Sequence, residues 1–297
     1  MIHFWIILTG VLAASSCGML GSFLVLRKNS MLGDAISHAV LPGIVLAFLL
    51  TNSRHPLPML IGAAAFGLFC VFITEFLYRS GKLQQDASIG ISFTWLFALG
   101  VILVSMFTGQ VDLDQECVLY GEIAYVPWDV LMFAGKSIGP RAVWMLAFVF
   151  LVNATFVGLF YKELKITTFD PQLAESVGIS TRLFHYLLMT VVSLTTVAAF
   201  ESVGAILVVA MLIAPGASAY LLTDRLSYLL LLAVLFGALA AIFGYLLAYW
   251  LDASIAGAMA AVAGLLFALS FLFSPHYGLF TGYFIRKHQG KLLSIVR

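Results

Sequence analysis

Apolar residues come in long blocks along this chain, separated by short connections that hold most of the charged side chains. A hydrocarbon layer ~30 Å thick is crossed by ~20 apolar residues in a helix. By that measure the candidate spans are Phe4–Leu26, Ala35–Leu50, Pro58–Tyr78, Ala87–Phe107, Ala142–Tyr161, Leu183–Phe200, Val203–Leu222, Leu226–Leu251 and Ala253–Phe273. No segment shows the alternating polarity over ~10 residues that a membrane strand requires. The pattern predicts an all-α fold, a polytopic transmembrane helical bundle of about eight or nine spans. No fixed-period repeat and no low-complexity tract interrupts it, so residues 1–297 are read as a single integral membrane domain.

The stretch Leu183–Leu222 is ambiguous. It is apolar throughout, broken only by His185 and Glu201. One long kinked helix is one reading. Two spans turning near Glu201 is the other, and FESVG offers a charge and a glycine for a tight turn. Charge favours the second. With the N-terminus outside and nine spans, the inner side holds Arg27, Lys28, Arg79, Lys82, Lys162, Lys165, Arg182, Arg225, Arg286, Lys287, Lys291 and Arg297. The outer side holds Arg54, Lys136 and Arg141. Cytoplasmic loops carry the excess of Lys and Arg, so the C-terminus is expected in the cytoplasm.

Composition agrees. The chain is 62% hydrophobic and 10% charged, with a mean hydropathy of +1.07. A soluble domain carries about a quarter charged residues, so most of this surface must face lipid. The net charge of +1, with no basic block beyond the tail Arg286–Arg297, points away from nucleic acid. Cys17, Cys70 and Cys117 have no CxxC spacing and read as small hydrophobes. MIHFWIIL carries no Lys or Arg ahead of its apolar run, so it reads as a first span and not as a signal peptide.

Two connections are longer than the usual few residues. Thr108–Arg141, on the outer side, carries Asp112, Asp114, Glu116, Glu122 and Asp129 and is apolar enough to lie along the membrane. Residues 162–182, KELKITTFDPQLAESVGISTR, lie on the inner side. There Asp170 can cap a short helix and Pro171 suits its first position, while Gly178 suits its end. A short capped helix with no core of its own is either a docking element for a partner or a bare surface helix.

Ionisable residues inside an apolar run are rare. MLGDAISHAVLPGIVLAFLL (Met31–Leu50) places Asp34 and His38 four residues apart, on one helical face. A carboxylate and an imidazole so placed make half of a site for a borderline divalent metal. The plainer reading is a helix cap plus a hydrogen-bonded core histidine. Two ligands are too few for a tight site, and a two-fold axis between two copies, or two homologous subunits, would supply four. Glu122, Glu201 and Asp252 fall near outer ends, as solvated loop charge or as a negative vestibule. Pro215, in MLIAPGASA, breaks a helix at mid-membrane. Of the histidines His3, His38, His55, His185, His276 and His288, only His38 combines a helical neighbour carboxylate with an apolar setting.

The chain has no Walker-type GxxxxGK[ST] motif and no GxSxG or HExxH signature. If its work runs on ATP, another chain binds the nucleotide. Five stretches resemble the ABC-3 family of metal ABC-transporter permeases, the membrane subunits of bacterial manganese, zinc and iron importers. They are GDAISHAVLPGIVLAF (Gly33–Phe48), DASIGISFTWLFALGV (Asp86–Val101), LYGEI (Leu119–Ile123), FDPQLAESVGI (Phe169–Ile179) and SVGAILVVAMLIAPGASA (Ser202–Ala219). The resemblance implies a multi-pass permease of the bacterial inner membrane, not itself an enzyme. It implies cytoplasmic ATP-binding subunits, a second permease subunit (the same or a related chain) and an extracytoplasmic metal-binding protein. Asp34 and His38 correspond by position to the family's metal-coordinating pair. Phe169, Asp170, Pro171, Ala174 and Gly178 fall in the segment that matches its ATPase-coupling helix. No resident cofactor is implied, since Mn, Zn or Fe is the cargo. LYGEI departs from the family's usual LFG-type sequence, and Glu122 is given no role. The rival readings are a cobalamin- or siderophore-type ABC permease, an ion-coupled secondary metal carrier and an intramembrane metalloenzyme.

Overall fold

The computed structural model describes residues 2–51, 56–81, 83–107, 123–133, 136–274 and 278. Arg54, His55, Lys82, Asp112, Asp114, Glu116, Cys117, Glu122, His276, His288 and the basic tail lie outside these residues. Within them, nine helices are long and apolar enough to cross a membrane. They are α1 (Ile2–Leu26), α2 (Met31–Thr51), α3 (Pro56–Gly81), α4 (Gln85–Phe107), α5 (Arg141–Leu159), α8 (Thr181–Val203), α9 (Ala205–Leu222), α10 (Leu226–Leu251) and α11 (Ile255–Phe273). Two shorter helices, α6 (Tyr161–Phe169) and α7 (Pro171–Ser176), follow α5. A two-stranded antiparallel hairpin, β1 (Val130–Phe133) and β2 (Lys136–Pro140), precedes it.

The forty-residue apolar stretch resolves into two helices. The break falls at Gly204, three residues beyond the expected turn near Glu201, with φ +81° and ψ 164°. That region of backbone space is essentially open only to glycine. Glu201 therefore sits in the last turn of α8 and not in a loop.

α1 is the axis of the bundle. Every residue from Ala13 to Leu24 is buried. Its sequence AASSCGMLGS (Ala13–Ser22) is rich in small side chains, which let neighbouring helices approach from all sides. α9 and α10 pack most extensively against it, with α5 and α8 on the remaining flank. The Asn153 side-chain amide on α5 donates 2.9 Å to the Thr195 hydroxyl on α8, a buried polar contact within this packing.

α2, α3 and α4 form a second group beside α1, and α8 packs against both groups. α2 crosses α3 where Gly43 faces Gly62, so closely that a Cβ on either would strike the backbone of the other. On its other side Pro42 and Leu41 rest on Gly100 of α4. α2 is thus gripped on two sides at its middle, which fixes the rotation of its remaining faces.

The two ends of the bundle differ. His3 bonds Tyr245, which places the start of α1 beside the end of α10. At the opposite end Arg27, Arg79 and Arg182 line a common cavity with Thr167 and Gln85. This second end is the basic one.

Candidate ion site and docking segment

α2 begins at Met31, four residues before the expected start, because the turn Met31–Asp34 continues the helix. Asp34 falls in that turn, where the helix dipole favours a carboxylate. His38 stands one turn on. Met31, Asp34, His38 and Leu41 are partly or fully exposed, while Leu32, Gly33, Ala35, Ile36, Ser37, Ala39 and Val40 are buried. One stripe of α2 is therefore only partly covered, with α4 packed along it, and both ionisable groups lie on it.

His38 Nε2 and Asp34 Oδ1 are 3.5 Å apart, with side chains 32% and 43% exposed. That distance is long for a hydrogen bond. It matches the ~3.4 Å between two ligands on a tetrahedral ion with bonds near 2.1 Å. The imidazole is held from α4. Its ring stacks on Phe93 at 5.7 Å with an interplanar angle of 29°, and Phe97 meets it edge-on at 5.7 Å and 81°. Ser37 Oγ donates 2.7 Å to the Asp34 carbonyl, and Pro42 cannot donate to the His38 carbonyl. Among the described residues no group of three or more His, Cys, Asp or Glu side chains gathers as a metal cluster.

The second candidate region is at the basic end. Asp170 Oδ1 accepts from the Leu173 N–H at 3.0 Å and caps α7, with Pro171 at its start. Ala174 is buried and anchors the helix from beneath. Gly178 has φ +86° and turns the chain toward α8. Phe169, Leu173 and Val177 are 54%, 50% and 64% exposed, an apolar row on a short polar segment. Just below, a cavity of about 330 Å³ is lined by residues including Arg27, Glu75, Arg79, Thr167, Arg182 and His185. Glu75 pairs with Arg79. Arg27 donates to the hydroxyls of Thr168 (3.1 Å) and Thr167 (3.0 Å). Burial pushes its guanidinium down to about 10, so it stays charged at neutral pH.

The remaining sequence candidates stand apart from both regions. Glu201 lines a cavity of about 270 Å³ at the other end with Asp129, Arg141 and Ser202. Asp252 is the left-handed cap of α10. Cys17 and Cys70 are buried. Phe93, Phe97 and the Arg27–Thr167–Thr168 contact were not expected. Nothing in the sequence distinguishes two of 25 phenylalanines, and Arg27 lies some 140 positions from its partners.

The sequence matches the ABC 3 transport family over residues 1–274. It is 55% identical over 277 residues to the manganese transport system membrane protein MntD of Bacillus subtilis, covering 93% of this chain and 94% of that protein. It is 46% identical over 273 residues to the zinc transport system membrane protein TroD of Treponema pallidum, covering 92% and 74%. Among solved structures, PsaBC from Streptococcus pneumoniae in complex with Fab superposes with a TM-score of 0.78 at 32% identity, covering 95% of this chain and 94% of that one.

Proposed function

The chain belongs to the ABC 3 transport family, and from that premise we propose that it is the membrane-spanning permease subunit of an ATP-driven importer of divalent metal cations. The observation that carries the reading is the Asp34–His38 pair, at ligand spacing on a partly exposed stripe of α2. A second permease, the same chain or a related one, applies its own stripe across a two-fold axis. Four ligands then converge on one ion. One carboxylate and one imidazole from each side suit Mn²⁺, Zn²⁺ or Fe²⁺.

The basic end faces the cytoplasm, following the positive-inside rule, in the inner membrane of a bacterium. The N-terminus then lies outside and the C-terminus inside. Phe169, Leu173 and Val177 dock on a cytoplasmic ATP-binding subunit, and Asp170, Pro171, Ala174 and Gly178 shape the segment that presents them. An extracytoplasmic metal-binding protein delivers the ion at the other end. ATP hydrolysis belongs to the partner chain, and this chain is a transport subunit with no resident cofactor.

The cycle follows from these parts. The ion enters from outside and is held between facing Asp34–His38 pairs. Nucleotide binding moves the docking segments, the two permeases rock, and the site opens to the cytoplasm. Asp34→Ala tests this: uptake of radiolabelled Mn²⁺ or Zn²⁺ should be lost while the complex still purifies intact. Wild-type uptake in that variant overturns the reading. Uptake of a metal chelate in preference to the free ion would favour the siderophore-type rival. Transport by the purified chain alone would favour a secondary carrier.

A further inference from the structure

The two ends of the mechanism need a physical link. The docking segment lies at the basic end, and the ion pair lies in α2. α7 itself packs chiefly on α6, with slighter contact to α8. Glu175 of α7 accepts from the Thr181 hydroxyl at the start of α8 at 2.7 Å, but the polar contact from this segment toward α1 and α2 runs through α6. Arg27, one residue beyond α1, donates from Nη2 to Thr167 and from Nε to Thr168. These two hydroxyls occupy the last turn of α6, immediately before Phe169 and the cap Asp170. Thr167 is buried, and its own hydroxyl proton goes to the Glu163 carbonyl at 2.7 Å, so it meets Arg27 as an acceptor. The guanidinium is a rigid planar fork, and it spans both hydroxyls at once. Glu75, the only carboxylate lining the neighbouring cavity among the described residues, is already paired with Arg79. Arg27 is therefore held by the docking segment, not by a counter-charge.

On its other side Arg27 opens the turn between α1 and α2. Lys28 takes φ +58°. The Asn29 N–H donates back to the Leu24 carbonyl at 2.8 Å. Asn29 and Gln85 join their side-chain amides, tying this turn to the first residue of α4. α2 then begins at Met31 and reaches Asp34 within its first turn. α4 runs from Gln85 to Phe93 and Phe97, which clamp His38. Both helices that build the ion site thus start at the turn that Arg27 anchors.

We propose that the Arg27 fork on Thr167 and Thr168, backed by the Asn29–Gln85 pair, transmits displacement of residues 161–178 to the Asp34–His38 site. Arg27 is a positioning residue: it touches neither the ion nor the nucleotide. A pull on α6 swings the α1–α2 turn. That turn moves the first turn of α2 and the start of α4 together, and so changes how Asp34 faces the clamped imidazole. This rests on the transport reading above.

The test uses the complete transporter in liposomes, permease with its ATP-binding subunits and external metal-binding protein. Metal transported and ATP hydrolysed are measured in the same vesicles. The main variant is Thr167→Val with Thr168→Val, which keeps shape and leaves Arg27 in place. Arg27→Gln is the second. Hydrolysis should stay within about twofold of wild type while ions moved per ATP fall at least about fivefold, the low end of site-to-site coupling. Transport and hydrolysis falling in proportion would overturn the proposal, because a general structural defect does that. So would two variants that behave as wild type. If Arg27→Gln does not assemble, the double threonine variant decides alone. A wild-type complex with no ATP-dependent transport would refute the transport reading instead, and the two failures are therefore distinct.

Discussion

The imidazole of His38 lies 5.7 Å from the ring of Phe93, inclined by only 29°, so a residue of one helix is clamped by its neighbour. Phe97 closes the other side. A histidine without such neighbours would sample several rotamers. Fixing the ring fixes Nε2 near Asp34, and under the proposed function that preorganises the pair for an ion.

Phe93→Leu should loosen that clamp. An aromatic pair contributes ~0.5–1.5 kcal/mol beyond its buried area, so the KM for metal should rise roughly two- to tenfold. The maximal rate should change less, and Phe93→Tyr should restore most of the loss. Initial-rate uptake across a metal titration checks this. An unchanged KM in the leucine variant would mean that the ring contact is incidental.

Gly62 and Gly43 bring the backbones of α3 and α2 together. Gly62→Val should destabilise the purified protein by ~1–3 kcal/mol, the usual cost of overpacking. Gly158 on α5 is a matched control, since a Cβ there meets nothing within 4 Å. Gly158→Ala should be neutral or stabilising by up to ~1 kcal/mol. Thermal unfolding in detergent separates the two.

The Asp170 cap holds the first turn of α7 in place. Asp170→Ala should cost that helix ~0.5–2 kcal/mol and weaken association with the ATP-binding subunit several-fold. Leu173→Asp should do more, because it puts a charge into the apolar row itself. Co-purification of the two subunits is the readout, with membrane insertion of the permease unchanged.

Asn153 and Thr195 join α5 to α8 in the interior. Thr195→Val keeps the volume and removes the partner of a buried amide. The expected loss is ~0.6 kcal/mol, with an upper bound near 1.7. Equilibrium unfolding of the reconstituted protein measures it.

Length and hydropathy were enough to read eight or nine spans, because a helix that crosses lipid must be long and apolar whatever its neighbours, and the distribution of Lys and Arg favoured nine. The cap at Asp170 and the glycine at 178 were legible for a similar reason, since they act within a few residues. The spacing of Asp34 and His38 marked one helical face, but not which way that face would look. That orientation comes from Gly43 on Gly62 and Pro42 on Gly100, contacts between separate helices. Phe93 and Phe97 were hidden among many phenylalanines. The antiparallel pairing of Val130–Phe133 with Lys136–Pro140 was announced by no polarity pattern. α6 has little mean apolar character to betray it, and its contact with Arg27 joins positions some 140 residues apart.

The burial of α1 from Ala13 to Leu24 has a consequence for how the protein is made. α1 is synthesised well ahead of the helices that cover most of it, α9 and α10. Through most of translation its serine-rich surface must wait in the bilayer without the neighbours that will enclose it. A nascent chain arrested before residue 205 would therefore display that surface to the membrane's quality-control proteases, and an intact C-terminal half is what shields the N-terminal helix from them.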